Sequence, residues 1–353
     1  MNQEEFNSKI SSLMASLETN VNAFKEESIE VKSSKDIVRG LLEVGISWEH
    51  VLPYCHPAYY YDKEIIILAI DQSGMALKFA KGELLNDKEL IKIAIKDNPN
   101  SFQYAGQSVK YNSEFIKEML QIRGKVLEHT PEIYRKNRSI VIEAVRNNGL
   151  ALQYASEQLK DDDCIVSIAV GRSGKAYQYA SERLKADKRI AISAISQEYS
   201  SVELMSNELK NDRDVCLARA KSHGKSIKTF PIEYQQDKEM VLCAVKNSGY
   251  ALVVILPEFQ NDREVVLEAV KYNGGSLSCA LAHFKNDKEI VLTAITQELS
   301  SLEFADPKLR EEIGENEPLS YLKSAIMKDR IENTLLEKNI YHKNDNNINK
   351  KKI

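Results

Sequence analysis

The sequence predicts an all-α solenoid, a superhelical stack of two-helix repeats, from three observations. One unit of 25 residues recurs ten times without an insertion between residues 62 and 311. Asp or Asn stands at the first position of every copy, and apolar residues follow it at helical spacing. A unit of this size buries too few large side chains to fold alone, so the copies must stack on one another.

Each copy has 25 positions, numbered here as slots, and slot 1 predicts where its first helix begins. The copies start at Asp62, Asp87, Asn112, Asn137, Asp162, Asp187, Asp212, Asp237, Asp262 and Asp287. Side chains of Asp and Asn accept hydrogen bonds from the free backbone N–H groups at a helix N-terminus. A helix is therefore predicted after every start, with its apolar stripe at slots 4, 5, 8 and 9.

Small residues at slots 8 and 13 predict how the repeat continues. Slot 8 is Ala in eight of the ten copies, which lets helices of successive repeats approach closely. Slot 13 is Gly in seven copies, which predicts a left-handed residue that ends the first helix. A short second helix should follow, facing the core through slots 16, 18 and 19, with a break at slot 20 and an apolar anchor at slot 23.

The pattern divides the chain into four segments. Residues 1–61 are predicted to form an N-terminal helical cap, in which residues 34 to 61 resemble a degenerate leading repeat. Residues 62–311 are the ten tandem helical repeats. Residues 312–341 predict a C-terminal capping helix, and the polar residues 342–353 predict a disordered tail.

Composition argues against several classes of function. Lys plus Arg total 48 against 52 Asp plus Glu, so a net charge of −4 offers nucleic acid no overall attraction. Apolar runs reach about six residues where a membrane span needs about 20, so no integral membrane protein is expected. No apolar signal region follows the first residues, which predicts a cytoplasmic protein. Cysteines and histidines lack metal-ligand spacing, so no metal and no cofactor are predicted.

An irregular stretch ahead of the first repeat is one candidate binding surface. Its aromatic residues are Trp48, Tyr54, Tyr59, Tyr60 and Tyr61. Aromatic side chains give large contact areas at low entropic cost and are enriched at interface hot spots. Two interpretations stay open, because these residues could instead pack the junction between the cap and the first repeat.

A row of basic residues around the predicted turn is the second candidate surface. It occupies the variable slots 10, 11, 14 and 17 and contains Arg172, Lys175, Lys221, Lys225, Lys228, Lys246 and Lys271. Charged residues at exposed slots usually form only a solvated face. Aligned across neighbouring repeats, they would bind an acidic protein surface or a phosphoinositide head group.

Two copies share a variant turn without the slot-13 Gly, at residues 197–203 and 297–303. One interpretation is the duplication of a block of four repeats. The other is a pair of equivalent binding spots.

The segments NRSIVIEAVRNNGLALQYASEQL, at residues 137–159, and DREVVLEAVKYNG, at residues 262–274, resemble a tandem-repeat family known only as a domain of unknown function. The resemblance covers residues 62–311, and the copies from Asn112 and Asp212 depart from it at several slots. Members are similar to protist proteins and to effectors that intracellular bacteria inject through a type IV secretion system. The resemblance implies an injected protein and brings no catalytic residues with it.

These patterns predict a non-enzymatic protein-binding solenoid, either a secreted bacterial effector or a regulator of another effector. Its partner would be a host factor or a second bacterial effector, met in the cytoplasm or in the host cell cytosol. Two other functions stay open. One is an enzyme with an unrecognised site near Cys55 and His56, which lie outside the repeats, and the other is a module that binds anionic lipid head groups.

Overall fold

The computed structural model describes residues 3–314 and residue 324. Within these residues every regular element is a helix and none is a strand. They fall into two compact units, unit 1 up to Met205 and unit 2 from Ser206. Each unit is a regular stack of 25-residue repeats, which confirms the predicted all-α solenoid. The predicted capping helix and tail lie outside the described residues, except for residues 312–314 and 324.

Six helices precede the first repeat in unit 1. They are the α-helices Gln3–Thr19, Ala23–Glu26, Ile29–Lys32, Lys35–Glu43 and Trp48–Val51 and the 3₁₀ helix Pro57–Tyr61. Leu13 and Phe24 are buried in this part of the chain. The helix Lys35–Glu43 begins after Ser34, whose hydroxyl accepts the N–H of Ile37, and it corresponds to the first helix of the degenerate leading repeat.

The first helix of each repeat follows the predicted pattern. These helices are Lys63–Gln72, Lys88–Asp97, Ser113–Ile122, Arg138–Asn147, Asp163–Arg172, Lys188–Gln197, Arg213–Ser222, Lys238–Asn247, Arg263–Tyr272 and Lys288–Gln297. In every copy the slot-1 side chain accepts a backbone N–H of the first turn, as predicted. Slots 4, 5, 8 and 9 are buried in all ten copies, which confirms the predicted stripe.

The second helix of each repeat is a 3₁₀ helix. These helices are Gly74–Phe79, Pro99–Tyr104, Gly124–His129, Gly149–Tyr154, Gly174–Tyr179, Tyr199–Leu204, Gly224–Thr229, Gly249–Val253, Gly274–Cys279 and Leu299–Phe304. Slots 16 and 19 are buried in every copy, as predicted, and slot 15 is buried as well. Slot 18 was predicted to face the core but stays partly or largely exposed in every copy.

A third helical segment, which the sequence did not predict, follows slot 20. It is formed by Gly82–Asn86, Gln107–Lys110, Glu132–Arg135, Glu157–Lys160, Glu182–Lys185, Asn207–Lys210, Ile232–Gln235, Pro257–Gln260, Phe284–Asn286 and Pro307–Ile313. It carries slot 23, which is buried in eight copies and half-buried at Leu84 and Tyr234.

The predicted role of the slot-13 glycines is wrong. Positive φ angles occur among the described glycines only at Gly45, Gly82 and Gly314, so no slot-13 glycine is left-handed. These glycines instead allow close approach, since a Cβ added at Gly124 would lie 2.3 Å from the carbonyl oxygen of Ala144 in the next repeat. Pro99, Tyr199 and Leu299 stand at slot 13 in the other three copies, and the last two of these belong to the last repeat of each unit.

Backbone hydrogen bonds, here called ladder bonds, join some successive repeats, and Pro at slot 20 cannot make one. The slot-20 N–H of Gly106, Ser156, Ser181 and Asp306 donates to the slot-24 carbonyl of the preceding repeat, for example from Ser156 to Arg135 at 3.0 Å. Pro231 has no N–H, and the carbonyl of Lys210 accepts from Arg219 Nη1 at 2.7 Å instead.

Arg219 occupies slot 8 in place of Ala and is 5% exposed. Its Nη2 donates to Thr229 Oγ1 at 2.7 Å, and its guanidinium lies 4.7 Å from the ring centroid of Phe230.

The other repeat with Pro at slot 20, Pro131, also lacks Ala at slot 8 and has Met119 there. Both exceptions at slot 8 therefore occur in the repeats that contain a slot-20 proline.

Ion pairs between slot 2 and the slot-1 carboxylate of the next repeat add a second link. Arg263 Nε lies 2.8 Å from Asp287 Oδ2, and Lys63 Nζ lies 2.6 Å from Asp87 Oδ2. Each of these carboxylates therefore caps its own helix and binds the preceding repeat. Since the pairs are largely exposed, each stabilises the stack by less than about 1 kcal/mol.

Candidate functional site

Most of the aromatic residues ahead of the first repeat are used in packing. Trp48 is only 6% exposed, and its ring lies 5.9 Å from that of Phe79 in an edge-on arrangement. Lys78 Nζ lies 4.7 Å from the ring centroid of Trp48, as in a cation–π contact. The ring of Tyr60 also packs on Phe79, at 5.5 Å, and its hydroxyl donates to the Leu52 carbonyl at 3.0 Å. Trp48 and Tyr60 therefore hold the cap against the first repeat.

The other three tyrosines of this stretch differ in exposure. Tyr59 is half-buried and donates to the carbonyl of Ser33, while Tyr54 is half-buried with Lys25 Nζ 5.7 Å from its ring centroid. Tyr61 is 64% exposed. Of the five predicted aromatic contacts, only Tyr61 presents most of its ring to solvent.

The environment of Cys55 is unfavourable for a nucleophile. Burial raises the pKa of the Cys55 thiol to about 12, and its Sγ donates to the Leu52 carbonyl at 3.3 Å. A nucleophilic cysteine needs a lowered pKa, because the thiolate is the reactive form. His56 is exposed, and its Nδ1 accepts the N–H of Ala58 at 3.3 Å. No interaction that would activate the thiol is therefore present at this pair.

The predicted basic row is divided between the two units. Arg172 and Lys175 lie in unit 1, and both are exposed. Lys175 Nζ forms an ion pair with Glu198 at 3.0 Å, so part of its charge is balanced. The remaining members of the row lie in unit 2, where the same slots carry a stronger excess of positive charge.

The first three repeats of unit 2 form what we name the basic turn face. It consists of residues 221–229, 246–254 and 271–279, which are slots 10 to 18 of these repeats. Five lysines and no Asp or Glu occur in it, and all five lysines are exposed: Lys221, Lys225, Lys228, Lys246 and Lys271. Lys221, Lys246 and Lys271 all occupy slot 10, so the stack brings these three lysines onto one side of unit 2.

Large apolar side chains are exposed between these lysines. Tyr250 is 42% exposed, Val253 is 55% exposed and Tyr272 is 64% exposed. Lys225 Nζ lies 5.5 Å from the ring centroid of Tyr250, close enough for a cation–π contact. The sequence analysis missed these three residues, although an aromatic or aliphatic side chain at a variable, exposed slot was a usable signal.

A shallow furrow of about 380 Å³ crosses three repeats beside the lysines. It is lined by slots 11 to 13 of those repeats: Asn247, Ser248, Gly249, Tyr272, Asn273, Gly274, Gln297 and Glu298. The slot-13 glycines keep its floor low because they have no side chain. The furrow therefore runs from repeat to repeat and offers polar groups and the Tyr272 ring to an elongated ligand.

Two of these lysines, Lys246 and Lys271, form ion pairs with one carboxylate of the chain, that of Glu268. Glu268 Oε1 lies 2.8 Å from Lys271 Nζ, and Glu268 Oε2 lies 3.4 Å from Lys246 Nζ. The Lys271 ammonium lowers the pKa of Glu268, with a further contribution from Lys246, although partial burial opposes it. Two lysines of adjacent repeats can therefore hold one carboxylate between them.

The two variant turns share a local geometry. Ser200 Oγ donates to Glu198 Oε1 at 2.9 Å in unit 1, and Ser300 Oγ donates to Glu298 Oε1 at 2.6 Å in unit 2. Glu298 and Glu303 follow the basic turn face in the next repeat and place negative charge at that edge. The positive surface is therefore limited to three repeats.

Among residues 3–314 and 324, no group of three or more potential metal-binding side chains occurs. None of the helices in this part of the chain is long and apolar enough to cross a membrane.

Comparison with known families identifies the repeats. A family model described as domain of unknown function (DUF4116) matches the chain in eight stretches of about two repeats each: 62–110, 112–160, 137–185, 162–210, 187–235, 212–260, 237–283 and 262–310. Together these stretches span most of the chain. No curated protein and no solved structure matches it.

Proposed function

The chain belongs to the family described as domain of unknown function (DUF4116), and from this premise we propose that it is a protein-binding solenoid whose basic turn face takes an acidic segment of a partner. The observation that carries the proposal is the composition of that face. It combines five exposed lysines, no carboxylate, and the exposed side chains of Tyr250, Val253 and Tyr272. Aromatic residues with surrounding charge are typical of interaction hot spots.

The charge distribution favours a protein segment over nucleic acid. The whole chain carries a net charge of −4, so long-range repulsion opposes an extended polyanion. The basic turn face contains lysines and no arginine, and arginine is the residue that phosphate recognition favours. Glu298 and Glu303 also bound the positive surface at one edge. A short acidic segment fits this limited surface better than a long phosphate backbone.

Affinity capture with charge-reversed variants tests the proposal. The full chain and the Lys225→Glu/Lys228→Glu variant would each be used to capture proteins from host and bacterial lysates at near-physiological salt. We expect one saturable partner that the variant captures at least about tenfold less, because four units of charge change on the face. Arg146→Glu is the control for a non-specific effect of charge, since it reverses one exposed charge, at slot 10 in unit 1.

Three results would contradict this function. Equal capture by the full chain and the lysine variant would remove the basic turn face from the interaction. Equal loss in Arg146→Glu would show a non-specific effect of charge. Binding of the full chain to vesicles containing phosphatidylinositol phosphates, with no protein partner competed by untagged chain, would favour the lipid-binding alternative.

The resemblance noted in the sequence extends the proposal to the place of action. On that ground the partner is a host-cell protein or a second bacterial effector, and the chain acts in a cytosol after type IV secretion. A reporter fusion tests this. Delivery of the fusion into host cells by secreting bacteria, and no delivery by bacteria without the type IV system, is the expected result.

A further inference from the structure

The basic turn face contains two successive pairs of lysines, and they differ at one residue. Lys246 and Lys271 hold Glu268 between them, at slot 7 of the later repeat. Lys221 and Lys246 form the equivalent pair one repeat earlier, at the same slot 10. The slot-7 residue between this earlier pair is Cys243.

Cys243 lies under the influence of both lysines, as Glu268 does in the next repeat. Burial raises the pKa of the Cys243 thiol, while the ammonium groups of Lys221 and Lys246 partly oppose that rise. The thiol is therefore protonated at neutral pH and brings no negative charge to the pair. Glu239, one turn earlier on the same helix, is bound to Arg213 Nη2 at 2.8 Å.

Among the described residues, then, no carboxylate forms an ion pair with Lys221, whereas the equivalent lysine of the next repeat has Glu268. Both repeats belong to unit 2 and share their backbone pattern. The two pairs share Lys246, so three lysines face the single carboxylate of Glu268, which contacts Lys246 and Lys271. The excess of positive charge is therefore greatest at Lys221.

We propose that Lys221 and Lys246 bind a carboxylate of the partner, an Asp or Glu side chain, at the position over Cys243 that corresponds to the carboxylate of Glu268. This inference rests on the proposed function and names the anchor point within it. The geometry of Glu268 supports a carboxylate as the ligand, because its two oxygens reach both lysines, at 2.8 and 3.4 Å.

The anchor lies beside the furrow. Asn247 follows Cys243 by one helical turn and lines the furrow, and Tyr272 lines it in the next repeat. A segment that runs along the furrow from repeat to repeat can therefore place one acidic side chain between Lys221 and Lys246. Its neighbouring residues then contact the exposed rings of Tyr250 and Tyr272.

Substitution of Cys243 tests the anchor. The probe is a fluorescein-labelled peptide in which Glu alternates with Ser and Gly, and its affinity for the full chain is measured by fluorescence anisotropy at low ionic strength. Cys243→Glu places an internal carboxylate between Lys221 and Lys246, and we expect the affinity to fall about tenfold. Glu268→Gln frees the second pair, and we expect affinity to rise about threefold.

Cys243→Gln is the matched control, because Gln has the size of Glu without its charge. It should keep the affinity of the unchanged chain within about twofold. Glu at the equivalent slot of the next repeat shows that the fold accepts this side chain. Circular dichroism and thermal unfolding of each variant confirm that it is folded.

Three outcomes would overturn the anchor. Equal peptide affinity in Cys243→Glu and Cys243→Gln would show that no carboxylate binds there. A peptide with Gln in place of Glu that binds as tightly would exclude charge recognition. A single-stranded oligonucleotide that binds more tightly than the Glu peptide, and is lost in Cys243→Glu, would assign the pair to phosphate.

Different experiments contradict the proposed function and the anchor. The proposed function is contradicted if the Lys225→Glu/Lys228→Glu variant captures as much of the partner as the full chain does. The anchor alone fails when that capture is sensitive but Cys243→Glu leaves peptide affinity and capture unchanged.

Discussion

The turn surfaces of the two units differ in charge although their repeats bury the same slots. In unit 1, slots 10 to 18 of the six repeats contain seven Lys or Arg and five Asp or Glu. In the first three repeats of unit 2, the same slots contain five Lys and no Asp or Glu. The buried slots keep the stack regular in both units, so the exposed slots of one unit can change without loss of the fold.

The comparison also shows where each unit departs from its own pattern. Unit 1 changes slot 8 from Ala to Met119, and unit 2 changes it to Arg219, in each case with Pro at slot 20. The variant turns at Tyr199 and Leu299 each belong to the last repeat of a unit. Departures in the buried slots follow from packing, whereas the lysines of unit 2 answer no packing need. They are therefore the better evidence of function.

The largest expected effect tests the claim that the buried slots are equivalent. Gly124→Ala in unit 1 and Gly224→Ala in unit 2 would place a Cβ 2.3 and 2.1 Å from the carbonyl oxygens of Ala144 and Ala244. Each should lower the free energy of unfolding by about 3 kcal/mol, because backbone must move to relieve the overlap. Denaturant unfolding measures it.

Gly171→Ala is the control for this pair, since a Cβ there meets nothing within 4 Å. It should be neutral or stabilise by up to about 1 kcal/mol, as Ala favours the helix. A loss below about 1 kcal/mol at both slot-13 glycines would contradict the close-approach explanation.

The second effect concerns the residue that distinguishes the unit 2 core. Arg219→Met gives slot 8 the side chain that unit 1 has at Met119, but removes the hydrogen bonds to the Lys210 carbonyl and Thr229 Oγ1. We expect a loss of about 2 kcal/mol in the free energy of unfolding, because two hydrogen bonds from a charged donor are lost. The Lys210 carbonyl then keeps only the weak donor Cys216 Sγ, at 3.2 Å. Met119→Leu in unit 1 should cost less than about 1.5 kcal/mol. Equal costs would show that the arginine does not replace the missing ladder bond.

The third effect is a dependence on pH at the links between repeats. Arg263 lowers the pKa of Asp287, with help from the backbone N–H of Ile290, although partial burial opposes both. A lowered folded-state pKa stabilises the fold above the unfolded-state pKa of about 3.9, and that stabilisation is lost as the pH falls through the folded-state value.

Asp287→Asn keeps a helix cap like Asn112 in unit 1 but cannot titrate. It should therefore cost about 0.5 kcal/mol near neutral pH and progressively less as the medium becomes acidic. Unfolding curves across the acid range measure the difference. A cost that stays constant with pH would mean that the ion pair contributes nothing.

The smallest effect tests the charge comparison itself. Arg172→Glu/Lys175→Glu reverses the predicted basic residues of unit 1, where Lys175 is already paired with Glu198. The affinity for a partner captured through the basic turn face should change by less than about twofold. A loss as large as that of Lys225→Glu/Lys228→Glu would make both units part of the binding surface.

Much of the fold could be predicted from local rules because each rule acts within one helix. Asp or Asn at slot 1 identified every helix start, and the spacing of slots 4, 5, 8 and 9 identified the buried face. The slot-13 glycines were located correctly but explained wrongly. Their close approach involves a carbonyl about 20 residues further along the chain, as between Gly124 and Ala144, and no local rule reports such a contact.

The candidate site was predictable only in part for a related reason. The lysines could be found as basic residues at repeated slots, including Lys225 and Lys228. The burial of Trp48 and Tyr60, and the exposure of Tyr250, Val253 and Tyr272, depend on what the neighbouring repeat presents to each side chain. The sequence gives the chemical type of each side chain, but the residues packed against that side chain in the folded structure determine how much of it is exposed.

By itself, the sequence determined the period, the helix starts, the buried stripe and the list of charged slots, because each depends on residues a few positions apart. The tertiary structure alone decided that the chain forms two units, that each repeat has a third helical segment, and that Lys246 and Lys271 share Glu268. The contact between Lys246 and Glu268 joins residues of neighbouring repeats, and stacking geometry, which no single repeat encodes, sets the distance between them.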